Sequence, residues 1–195
     1  DARATAEDAI ARGVATETLR SLLLQVGFIT GDAALVGRER DWAATQPEAT
    51  PYFLEFDAEN DVWRGRLRQS LAALDTYQAW ALQRGAEYRW TVLELRKARY
   101  EALCGLSVAA RARMNRQLRS GKLDAGLKVD ALKVAVSAGD MATARALVAE
   151  FDAAGWPKIE QPFAGFVLAY RAAIDTHAGR PQQALDRLAP FVPYE

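Results

Sequence analysis

Histidine and cysteine are almost missing from this chain, which holds one of each, His177 and Cys104. One cysteine cannot close an internal disulfide, and one histidine rules out histidine metal clusters and histidine-pair chemistry. Net charge is missing too. Twenty-five basic and 25 acidic side chains cancel, so no global field draws the chain to nucleic acid or to an anionic membrane. Long apolar runs are lacking: Leu22 to Leu24 and Val26 to Ile29 are broken by Gln25 and fall far short of the roughly 20 residues a membrane span needs. Valine, isoleucine and threonine form no sustained alternation, so no substantial strand is expected. What remains is half hydrophobic, rich in Ala, Leu, Arg, Glu and Gln, and suited to packed helices.

Glycine is present at informative places. Gly31, Gly65, Gly105, Gly139 and Gly179 each separate two apolar-periodic runs, at separations of 34, 40, 34 and 40 residues. A period of this size marks a helical-hairpin array, because one hairpin cannot bury its apolar face alone. Pro47, Gly121 and Gly155 lie 16 residues after Gly31, Gly105 and Gly139, and Gly85 lies 20 after Gly65; each predicts the end of a second helix. The spacing predicts five hairpins near residues 16–45, 51–84, 87–120, 124–154 and 160–190. Residues 5–12, closed by Gly13, read as the end of a preceding helix. Asp32 and Asp140 suit N-caps, and Pro51 and Pro181 suit first turns. The residue five past each corner glycine is Val36, Ser70, Ala110, Ala144 or Ala184, where small side chains let paired helices approach. The expected fold is all-α: one domain over residues 1–195, with Asp1 and the Pro193-Tyr194-Glu195 tail reading as cut ends of a longer protein.

The run Gly139-Asp140-Met141-Ala142-Thr143-Ala144 resembles the second half of the tetratricopeptide repeat, Gly-Asp-x-x-x-Ala before an apolar helix. The last unit, Arg171-Ala172-Ala173-Ile174 followed by Gly179-Arg180-Pro181-Gln182-Gln183-Ala184-Leu185, is similar to the C-terminal repeat region of bacterial serine/threonine kinases and winged-helix transcriptional regulators. Ala58, Ala98 and Ala172 fit the small residue that this repeat places seven before the corner glycine, whereas Leu24 and Leu132 depart from it. The resemblance implies a right-handed α-solenoid whose first helices line a concave face. Counting back from each corner then makes Glu55, Glu59, Arg99, Lys133 and His177 the candidate partner-binding residues. No kinase signature is present in the chain.

Other patterns read as surface or core. The acids of "EFDAENDVWRGR" resemble the start of a calcium loop, but counting from Asp57 puts Val62 and Arg68 where that loop needs glycine and glutamate. The basic run Arg111, Arg113, Arg116, Arg119 and Lys122 spreads around a helix without interleaved aromatics, which suits pairing with neighbouring acids. Cys104, placed like Ala138 before its glycine, is expected to pack. Tyr52, Phe53, Phe56 and Trp63, with Trp156, Phe163, Phe166 and Tyr170, are expected to be mostly core, any exposed subset being an anchor for a partner. The functional expectation is a non-catalytic interaction scaffold or regulatory repeat domain without cofactor or metal, taking a protein or peptide segment or self-associating, with no nucleic acid and no membrane span. The alternative is a sensory domain that holds a small molecule between helices and regulates an attached kinase or DNA-binding domain.

Overall fold

All five corner glycines adopt a left-handed backbone, with φ of 70–81°. At each, the residue after the glycine donates its N–H to the carbonyl five residues back: Asp32 to Gly27, Arg66 to Asp61, Leu106 to Glu101, Asp140 to Ala135 and Arg180 to Asp175, at 2.7–2.9 Å. This six-residue closure satisfies carbonyls that a helix end leaves open, and it requires a residue that tolerates positive φ. The next helix therefore starts one or two residues later. Asp32 and Asp140 cap those starts as expected, accepting from Leu35 N–H at 2.9 Å and Thr143 N–H at 3.1 Å. Thr16 and Asp124 do the same for Leu19 and Leu127. Each such cap contributes about 1 kcal/mol.

The computed structural model describes residues 2–155 and 164–189, and among them the chain is all-helical. Two compact units are distinguished, Asp1–Glu87 and Tyr88–Glu195. The first holds α1 (Ala2–Ala11), α2 (Glu17–Thr30), α3 (Ala33–Ala44), α4 (Thr50–Trp63) and α5 (Leu67–Gln83). The second is built from α6 (Glu87–Leu103), α7 (Ser107–Arg119), α8 (Ala125–Ser137), α9 (Met141–Ala153), α10 (Ala164–His177) and α11 (Pro181–Leu188). The predicted start of the fifth hairpin, 160–163, lies outside the described residues, as do Trp156 and Phe163. No helix among the described residues is long and apolar enough to cross a membrane.

One packing pattern recurs in both units. In the first, α2 packs on α3 and α4 on α5, while α4 also reaches back to α2 and α3, and α1 lies on α2. In the second, α8 packs on α9 and α10 on α11, while α10 reaches back to α8 and α9, and α7 lies on α8. Leu95, Met114, Leu132, Leu147, Phe151 and Val167 belong to the continuous core of the second unit. In the first, Leu24 packs with Phe53, and Leu23 with Leu35.

The close-packing positions behave as their size dictates. Ser70, Ala110, Ala144 and Ala184 are buried, as are Ala58, Ala98 and Ala172 opposite them. Val36 is the bulky exception, and the partner helix makes room for it with a glycine. A Cβ placed on Gly27 would meet Val36 Cγ2 at 2.8 Å, with the Asp32 carbonyl and Val36 nitrogen both at 3.3 Å. One sequence expectation is corrected. Cys104 is exposed instead of packed, whereas Ala138, in the same place before its glycine, is buried. Leu82 and Leu103, near the ends of α5 and α6, are 54% and 49% exposed. The buried stripe of α5 runs through Ser70, Leu74, Tyr77, Gln78 and Ala81, turned away from Leu82.

Two outcomes follow. Gly27→Ala adds helix propensity of about 1 kcal/mol but overpacks by about 1–3 kcal/mol, so chemical denaturation should show a net loss. Combining it with Val36→Ala should recover most of that loss, and strictly additive effects would remove the contact from the account. Asp175 is buried and accepts from Arg187 Nε at 2.7 Å and Arg180 Nη2 at 2.6 Å. These arginines hold its carboxyl below the usual range, against the opposing effect of burial. A carboxyl depressed in the folded state contributes stability above its unfolded value, about pH 3.9, and loses it as pH falls through the folded value. The Tm gap between the native chain and Asp175→Asn should be full at neutral pH and close progressively below about pH 4; a constant gap would contradict this.

Candidate functional site

On α4 the side chains divide between two faces. Phe53, Ala58 and Val62 are buried, while Tyr52, Glu59 and Trp63 point to solvent with Phe56 half-buried among them. On α2, Leu23, Leu24 and Gly27 are buried, while Leu22 and Ile29 are exposed. The free faces of the two helices border an open groove of about 510 Å³, lined by Gln25, Phe28, Ile29, Phe56, Trp63 and Arg64, with Glu59 and Asn60 on the α4 side. Ile29 is 84% exposed and Trp63 75%, so this is a surface trough without a roof. Phe28 is held from the α3 and α4 sides by two guanidinium groups, Arg40 at 5.5 Å and Arg64 at 5.8 Å from its ring centre. Arg40 is itself fixed by Asp57 at 2.5 Å, and Arg66 holds Asp61 at 2.5 Å. Those acids of the calcium-like run are thus engaged by arginines.

The α2–α3 pair carries a charged anchor. Glu39 on α3 is wholly buried and accepts from Arg20 Nη1 at 3.1 Å and Arg38 Nε at 2.8 Å. Arg20 also stacks on Trp42, 4.9 Å from the ring centre. The α2–α3 pair is therefore pinned by ion pairing and by cation–π contact, which keeps the α2 wall in place.

In the second unit, α6 and α8 border a smaller cleft of about 60 Å³ lined by Val92, Leu95, Arg96, Arg99, Asp130 and Lys133. Lys133 Nζ donates to Asp130 at 2.8 Å and lies 5.0 Å from the Phe166 ring centre on α10. Burial pushes the half-buried Tyr170 phenol up, while nearby Arg99 acts in the opposite direction. Arg113 from α7 fixes α6 from behind: its fork donates to Glu101 through Nη2 at 2.8 Å and to Glu94 through Nη1 at 2.8 Å. Glu94, Lys97 and Glu101 are all buried. These acids raise the Arg113 guanidinium above its ordinary value, Glu101 contributing most.

The candidate residues separate accordingly. Arg99 and Lys133 line one cleft, and Glu59 lines the groove of the first unit. Glu55, one turn before Glu59, is half-buried and engaged in its own contacts, outside the groove lining. His177 ends α10 as an exposed residue and lines none of the clefts described. The expectation that the aromatics are mostly core is corrected. Tyr52, Trp63 and Phe166 are exposed, and among the described members only Phe53 is fully buried. The reason is geometric: positions 52, 56, 59 and 63 recur at three- and four-residue steps on the face opposite 53, 58 and 62. Ile29, Phe28 and Gln25 were missed, although their spacing on α2 matches that of the α4 stripe. Comparisons with protein-family models, curated proteins and solved structures give no match.

Removing the Arg113 fork strands the buried Glu101 carboxylate and leaves Glu94 with Lys97, a change that costs about 3 kcal/mol where the pair is dry. Arg113→Ala should lower the unfolding free energy by that order in denaturant titration. A loss well under about 1 kcal/mol would mean that the network is solvated and contributes little.

Proposed function

We propose that this chain is a non-catalytic protein-interaction module, a scaffold or regulatory repeat domain of a larger bacterial signalling protein, that holds a partner segment against the α2–α4 groove. The observation that carries the reading is the pair of exposed apolar faces: Leu22 and Ile29 on α2, and Tyr52 and Trp63 on α4 with the half-buried Phe56 among them. An exposed patch of large apolar side chains is favourable only when something covers it. Here the patch is rimmed by Gln25, Glu59, Asn60 and Arg64, the polar edge expected around an interaction core. The occupant that suits it is an amphipathic protein segment whose apolar face meets Trp63 and Ile29. In the same reading the glycine-bounded helix pairs are repeat units of a right-handed tetratricopeptide-like α-solenoid. The recurrence of one corner geometry and one packing pattern supports it.

A second reading, a sensory domain for a small molecule, draws support from the groove volume of about 510 Å³, within the roughly 300–1,000 Å³ span of ligand sites. The exposure of Ile29 and Trp63 favours the first, since a small ligand there would leave much of its own surface wet.

The test is selection from a displayed library of random peptides on the immobilised chain. Enriched sequences should carry apolar residues at helical spacing. Trp63→Ala should weaken them by about 2 kcal/mol, roughly 30-fold, with an unchanged Tm. An absence of enrichment, or equal binding by the Trp63→Ala variant, would reject the groove as the site. A metabolite that raises Tm and is lost with Trp63→Ala would favour the sensory reading.

A further inference from the structure

We propose that the cleft between α6 and α8 binds a carboxylate presented by an acidic protein segment. The inference rests on the protein-binding reading above and adds the chemistry of the partner. Two cations, Arg99 and Lys133, line one small space together with a single acid, Asp130. Arg99 is exposed and has no carboxylate within ion-pair distance among the described residues. Lys133 gives one hydrogen bond to Asp130 at 2.8 Å and has further N–H donors to offer.

Size narrows the ligand. The cleft measures about 60 Å³, equivalent to about two waters at roughly 30 Å³ each. That suits the end of an aspartate or glutamate side chain. The walls add selectivity: Val92 and Leu95 close the floor with apolar surface, where a paired charge is screened less than in open water. The Phe166 ring, 51% exposed and 5.0 Å from Lys133 Nζ, restricts that ammonium from the α10 side. A planar carboxylate accepting from the Arg99 fork and Lys133 together satisfies both donors. Asp130 already competes for Lys133, which leads to an expectation opposite in sign to a simple loss of contacts: its removal should strengthen binding.

The experiment uses the 195-residue chain and a short fluorescein-labelled glutamate-rich peptide, with the glutamine version as control, read by anisotropy. The glutamate peptide should bind and the glutamine peptide should not. Arg99→Ala with Lys133→Ala should weaken binding by about tenfold at unchanged helicity. Asp130→Asn should tighten it, and Arg145→Ala, an exposed arginine on α9, should leave it unaltered. Equal binding of both peptides, an equal loss with Arg145→Ala, or no loss in the double variant would overturn the proposal. If the glutamate peptide fails while segments selected on the Trp63 groove still bind, the acidic assignment falls and the protein-binding reading stands. Failure of both removes both.

Discussion

The N–H donated from the residue after each corner glycine to the carbonyl five residues back sets everything that follows. It ends one helix with its carbonyls satisfied and leaves only one or two residues before the next helix begins. With so short a connection the second helix must lie against the first, so their contact face has to be narrow. That requirement explains the buried small residues at 58, 70, 98, 110, 144, 172 and 184. It also explains the exchange at the first corner, where Gly27 accommodates Val36. The glycine is needed for its positive φ and the alanines for their lack of bulk, and the two demands come from the same geometry.

Stacking consumes one face of each first helix and leaves another free. On α4, Phe53, Ala58 and Val62 serve the core, which releases Tyr52, Glu59 and Trp63 to solvent. The acids beside them are engaged by arginines, Asp57 by Arg40 and Asp61 by Arg66. Ion pairs of this exposed kind add little to stability; their effect is to fix Arg40 where it also covers Phe28. In the second unit a buried network does comparable work. Arg113 holds Glu94 and Glu101 behind α6, so the helix that carries Arg96 and Arg99 is anchored on the side away from the cleft.

Much of this was legible in the sequence, for identifiable reasons. Corner glycines and capping aspartates are dictated by local backbone chemistry, which a sequence states directly. Counting between glycines therefore located the helices to within a residue or two, from α2 at Glu17–Thr30 to α9 at Met141–Ala153. The first 40-residue spacing has its cause in length, since α5 and α6 each run 17 residues. What the sequence did not disclose depends on rotation of a helix about its axis. A face shift of one position decides whether Leu82 or Ala81 is covered, and apolar spacing alone does not distinguish them. The same ambiguity hid the exposed aromatics and the exposed Cys104. Buried ion pairs escaped for a further reason: Glu39 and Arg20 are 19 residues apart, and nothing in either side chain announces its partner.

The two clefts show what such a framework leaves to variation. Both lie beside first helices, with the exposed Ile29 and Trp63 of the groove and Arg99 of the cleft on positions that the core does not use. One is lined by Phe28, Ile29, Phe56 and Trp63, with Glu59 opposing Arg64 in charge; the other is small and sets Arg99 and Lys133 beside a single acid, Asp130. Since the exposed Ile29, Trp63 and Arg99 do not hold the helices together, they can change without disturbing a corner or a small-residue contact. Surface chemistry in this chain is therefore written on the free faces of first helices, and the groove and the cleft differ in character while sharing one mode of construction.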